Sequence, residues 1–219
     1  MRRFKSKKNY KIINKKSCFI DSTVEIGEGV VIYENNRIYG KTKIADGTIL
    51  LPNNFICDST IGGNCEIDNS HIDGAIIGEN VKIGPYARIR PKTKIADNCK
   101  IGNFVEIKKS YINDFTKIAH LSYIGDSVIG KNVNIGCGVV TCNYDGFNKH
   151  QTIIKDNSFI GSNVNLIAPI VIGSNCYIAA GSTIYNNVDD YEFVIERGKQ
   201  VNKKEYAKKF PYIKNTSTI

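Results

Sequence analysis

The sequence predicts an all-β fold, a parallel β-helix of six-residue repeats with one extruded loop and a short C-terminal helical segment. Two observations carry that reading. Aliphatic residues recur at every sixth position in three long tracts, and two segments, 141–151 and 189–219, break the period.

The first tract is Ile20, Ile26, Ile32, Ile38, Ile44, Leu50 and Ile56. After small slips of phase it resumes as Ile77, Ile83, Ile89, Ile95, Ile101 and Ile107, and again as Ile154, Ile160, Leu166, Ile172, Ile178 and Ile184. A period of six fits neither an amphipathic helix nor a simple alternating strand. It fits a triangular coil, in which each hexapeptide gives a short strand and a turn, and three of them close an 18-residue rung. Stacking then buries an aliphatic column that no single rung could bury. Residues 20–184 supply roughly nine such rungs. The Gly, Ala or Asp that commonly follows the aliphatic residue is expected to help turn the corner with a positive φ.

Thr141–Gln151 interrupts the repeat with polar and aromatic residues. A regular coil can extrude such a loop at a corner without disturbing its core, and extruded loops often carry function. Beyond residue 188 the repeat ends. The Lys/Glu-rich stretch Glu196–Lys209 suggests a short helix stopped by Pro211, capping the open end of the coil. The domain reading is therefore a basic tail at 1–17, a β-helix at 18–188 and an extension at 189–219.

Composition is globular, with 42% hydrophobic and 23% charged residues among 219. There is no run of 18 apolar residues, and the basic N-terminus lacks the apolar centre of a secretory signal, so a cytoplasmic location is expected. Seven cysteines without a C-x-x-C pair suit that compartment. Cys65, Cys99 and Cys176 occupy the small-residue slot of the repeat and are expected to pack as small apolar groups. The net charge of +9 resides mostly in residues 1–16, which carry eight Lys or Arg and leave +1 for the rest. That distribution describes a solvated tail rather than a nucleic-acid face.

Four strings then occur in order: Gly-Pro-Tyr-Ala-Arg-Ile-Arg-Pro (84–91), Gly-Asn-Phe-Val-Glu-Ile-Lys-Lys-Ser (102–110), His-Leu-Ser-Tyr-Ile-Gly-Asp (120–126) and Thr-Cys-Asn-Tyr-Asp-Gly (141–146). Together they resemble the acetyltransferase half of the bacterial bifunctional enzyme that makes UDP-N-acetylglucosamine (GlmU), over residues 18 to about 209. The resemblance implies a left-handed coil, acetyl-CoA as donor, glucosamine-1-phosphate as acceptor, no metal for acetyl transfer, and a homotrimer. The family's nucleotidyltransferase domain has no counterpart before Ile20, so uridylyl transfer is not expected.

Acetyl transfer to an amine needs a base, donors for the thioester oxygen, cations for the sugar phosphate and a cleft for coenzyme A. By resemblance His120 is the general base and Glu106 the acid that orients and charges it. Arg90 and Lys108 take the phosphate, while Tyr123, Asn134 and Lys149 complete the sugar pocket. Asn143 and Tyr144 line the donor and acceptor sites. The backbone N–H of Cys137, where family members usually carry Ala, meets the acetyl oxygen. Ser162, Ala180 and Arg197 hold coenzyme A, Arg197 at its phosphates. One feature stands without the resemblance. Arg90 precedes Lys108 by one 18-residue turn, so the two cations share a face about 4.8 Å apart and repel unless an anion lies between them. The residues leave two other readings open: an acetyltransferase of free glucosamine or another aminosugar, and a non-catalytic coil that binds sugar phosphates.

Overall fold

The computed structural model describes residues 9–209. Its strands, two to four residues each, form three parallel sheets that are the three faces of one coil. Face one has 11 strands, from Lys11–Ile12 to Phe193–Val194; face two has 10, from Phe19–Ile20 to Thr183–Ile184; face three has 9, from Glu25–Ile26 to Ile170–Ile172. The ladder therefore starts before residue 18 and runs past residue 188, adding about a rung to the nine expected.

The six-residue period works as the spacing implied. Ile38, Ile56, Ile72, Ile89, Ile107 and Ile124 stack inward on face two, all essentially without solvent exposure. Burying each such side chain contributes about 1.5–3 kcal/mol, and each stands on an identical neighbour in register. Cys65, Cys99 and Cys176 are buried at corners, where burial pushes the thiols of Cys65 and Cys99 up to about 11.

The corners differ from expectation in one respect. In units such as Ile77-Gly78-Glu79-Asn80, the glycine after the aliphatic residue has no positive φ; the left-handed residue is Asn80, at φ 56°. Gly78 is small for a different reason, since a Cβ there would collide with Asp97 of the next rung. That aspartate explains the acid in the repeat, because Asp97 Oδ1 accepts the Glu79 N–H at 2.7 Å, and Asp46 does the same for Glu28.

The expected helix over Glu196–Lys209 is absent. Only the 3-10 turn Tyr206–Lys209 forms, with no buried residue to anchor it. So short a helix is marginal in water without an apolar face to dock. Pro211 and residues 1–8 of the basic tail lie outside the described residues.

Candidate active site

Two constructions flank face two. The first is a shelf at the corner between faces two and three. Arg90, Lys108 and Tyr123 come from three successive rungs, and Asn143, Tyr144 and Lys149 come from the extruded loop. These six residues line one cavity of about 470 Å³. Arg90 Nη1 pairs with Glu106 Oε1 at 2.8 Å. Lys108 lies beside Lys149, and that neighbour is the main reason the Lys149 ammonium is held below its usual range. Gly125 makes room for the arrangement: a Cβ there would sit 2.6 Å from the Tyr123 hydroxyl and 2.9 Å from the Asn143 amide nitrogen.

Beneath the shelf lies a residue the sequence reading passed over. Asp126 is 8% exposed. Its Oδ2 accepts the Asn143 amide at 2.6 Å and faces Lys108 Nζ at 3.7 Å, while its Oδ1 faces Lys109 Nζ at 3.3 Å. Burial alone would raise this carboxyl, but the Asn143 bond and the two lysines outweigh it and hold the group below the usual carboxylate range. In sequence Asp126 reads as an ordinary turn residue at the end of the string His-Leu-Ser-Tyr-Ile-Gly-Asp.

The loop carries its own brace. Tyr144 and Lys149 form an antiparallel bridge, and Asp145 Oδ1 accepts the N–H groups of Phe147 and Asn148 at 2.7 and 2.6 Å. His150 Nε2 lies 2.7 Å from Asp145 Oδ2. Those contacts, led by the Asn148 N–H, hold the Asp145 carboxyl far below its usual range. Phe147 at the tip is 91% exposed.

The second construction is the corner between faces one and two. Register places Asn103, His120, Cys137, Ser162 and Ala180 in one column, one residue per rung, with Arg197 following at the next rung. Their neighbours Gly138, Asn163 and Gly181 are also small or short, so from His120 to Arg197 the corner is a run of small residues about 19 Å long, four strand spacings. Arg197 closes it, its Cδ lying against Gly181. On the other side of His120 the same corner changes character. Its left-handed positions run Asn35, Asn53, Asn69, then Tyr86, Phe104 and Leu121, then Gly138, Asn163 and Gly181. Asn and Gly tolerate that conformation, whereas bulky residues lose about 1–2 kcal/mol each. Tyr86, Phe104 and Leu121 nevertheless stand 54%, 57% and 58% exposed, the first two rings stacked at 5.4 Å.

Two expectations change here. Glu106 does not meet His120; it is bound to Arg90, on face two. The partner of His120 is Asn103, one rung away, whose Oδ1 lies 2.9 Å from Nδ1. In the tautomer with Nδ1–H donating to that oxygen, Nε2 keeps its lone pair. Asn134 stands on face one, between Lys117 and Phe159, and not in the shelf cavity.

A parallel coil of hexapeptides with a corner of small residues, a histidine at its end and a cationic shelf beside it defines an acyltransferase of the hexapeptide-repeat class. The family of bacterial transferase hexapeptides matches residues 151–186, and that of the GMPPB C-terminal domain matches 71–166. The left-handed β-helix of UDP-N-acetylglucosamine acyltransferases superposes on this chain. The Bacteroides fragilis enzyme does so with a TM-score of 0.61 at 19% identity, over 83% of this chain and 70% of that one. The Arabidopsis enzyme gives 0.59 at 18% identity, over 82% and 69%. The chain belongs to the GlmU family, as its acetyltransferase half. It is 52% identical to the bifunctional protein GlmU of Carboxydothermus hydrogenoformans over 90% of this chain and 44% of that protein. It is 50% identical to that of Clostridioides difficile over 90% and 43%. The chain thus spans less than half the length of the curated relatives it matches.

Proposed function

We propose that the chain moves an acetyl group from acetyl-CoA to the amine of glucosamine-1-phosphate, giving N-acetylglucosamine-1-phosphate without a metal. The observation that carries this reading is the crowding of Lys108 against Lys149 beside Arg90 in one cavity. Ammonium groups held that close are relieved by an anion between them, and a sugar phosphate supplies one. Tyr123 and Asn143 offer hydrogen bonds to the sugar hydroxyls.

In this scheme His120 Nε2 accepts a proton from the amine as the nitrogen attacks the thioester carbon. The Cys137 N–H donates to the carbonyl oxygen as it gains charge, a contribution of about 3–4 kcal/mol for a preorganised donor. The departing thiolate then takes the proton from His120. Arg197 holds the phosphates of the coenzyme, whose extended arm lies along the small-residue corner past Ala180 and Ser162. Glu106 serves the acceptor side, fixing the Arg90 guanidinium.

The assembly in this proposal is a cytoplasmic homotrimer. The shelf cavity does not include His120, so a second copy that covers the exposed corner of Tyr86, Phe104 and Leu121 would close the site. Mass spectrometry of the products from acetyl-CoA and a panel of amines tests the reaction. N-acetylglucosamine-1-phosphate as the dominant product is expected. Equal acetylation of free glucosamine, or none of either, would overturn it.

A further inference from the structure

The corner that carries the shelf has a second side. Around it, on face three, Lys92, Lys94, Lys109, Tyr111 and Gln151 line a separate groove of about 490 Å³. Lys92 and Lys109 occupy successive rungs of the corner, and Lys94 pairs in register with Tyr111 on the sheet. No carboxylate lines the groove. Among the described residues, Lys92 and Lys94 form no ion pair, whereas elsewhere on the same face Lys43 is matched by Glu25 at 3.1 Å.

Three features set this cluster apart from ordinary surface lysines. The chain beyond its first 16 residues carries only +1 net, so Lys92 and Lys94 without an acid, beside a Lys109 already paired with Asp126, are a local concentration, not a sample of a basic surface. The backbone is bent to make it. The left-handed positions of this corner read Gly40, Asp58, Gly74, then Lys92 at φ 65° and Lys109 at φ 47°, where Gly or Asp would be accommodated with less strain. The floor, finally, is already satisfied: the Ser110 and Ser127 hydroxyls donate to the Lys108 and Gly125 carbonyls. The groups left facing the groove are therefore cations, a phenol and a carboxamide, a set of donors around a concavity.

We infer that this groove is a second anion site, distinct from the shelf, which binds a phosphate-bearing small molecule. Lys92 and Lys94 supply its charge, and Tyr111 offers a ring face or hydroxyl to whatever carries the phosphate. The shelf and the groove share one corner yet use different lysines, so their occupancy can be separated by mutation.

Calorimetric titration of the full chain with inorganic pyrophosphate at low salt provides the test. Two classes of site are expected, one removed by Arg90→Ala/Lys149→Ala and the other weakened about tenfold or more by Lys92→Gly/Lys94→Ala. Lys92→Gly also removes a strained residue, so its melting temperature should be no lower than that of the parent, which separates lost binding from lost folding. Acetyl transfer should be unchanged in the groove variant. Pyrophosphate binding that survives Lys92→Gly/Lys94→Ala intact, or that vanishes entirely with the shelf variant, would overturn the assignment, as would absence of binding to the parent.

Discussion

The amide nitrogen of Asn143 donates to Asp126 Oδ2 at 2.6 Å, joining the foot of the extruded loop to the carboxylate that also faces Lys108 from the neighbouring rung. One buried carboxylate thus fixes the Asn143 amide of the loop and one cation of the shelf together. Removing it should loosen both. Asp126→Ala is expected to raise the KM for the phosphorylated acceptor at least about tenfold, with a smaller effect on acetyl-CoA. Equal loss for both substrates would point to a general folding defect instead.

Asp126 also predicts a pH dependence. Its folded pKa lies below the ordinary value, so the stability it contributes is complete above the unfolded carboxyl's pKa, about 3.9, and is lost as pH falls through the folded one. Melting temperatures measured from pH 6 to pH 2 should decline more gently below pH 4 in Asp126→Asn than in the parent. Parallel curves would show that the carboxylate contributes nothing.

His120→Ala should lower turnover by about 10²–10⁴-fold while coenzyme A still binds. Asn103→Ala, which removes the Nδ1 partner, should lower turnover less. Near-parental activity of His120→Ala would remove it from the mechanism.

Arg90→Ala and Lys108→Ala should weaken phosphorylated acceptors far more than unphosphorylated ones. Kinetics with glucosamine-1-phosphate and glucosamine side by side decide this, and an equal loss would favour an acceptor without phosphate.

Assembly is tested by light scattering, where a trimer of about 73 kDa, three times the 24.4 kDa chain, is expected. Phe104→Asn should dissociate it while leaving each coil at least as stable, because Asn suits the left-handed corner. A fully active monomer would sink this prediction.

Much of the fold was legible because its signal is repeated. Ile89, Ile107 and Ile124 each say the same thing, and the structure stacks them in register. Side-chain partners were less legible. Nothing in the repeat says whether Glu106 leans along its own face toward Arg90 or around the corner toward His120, since both lie about one rung away. Asp126 was hidden because its role depends on a loop that leaves the coil and returns. The segment 196–209 misled because Lys/Glu-rich composition favours a helix locally but supplies no apolar stripe to hold one.

The corner from His120 to Arg197 has a length counted in rungs. A coil of this kind cannot be stretched by a fraction of a turn without throwing every inward isoleucine out of register, so the separation between His120 and Arg197 is quantised in steps of about 4.8 Å. Selection or design acting on donor length would therefore find no gradual path. Inserting one complete turn between Ser162 and Ala180 would move Arg197 a full step away, and a donor matched to the present span would reach one end or the other, never both.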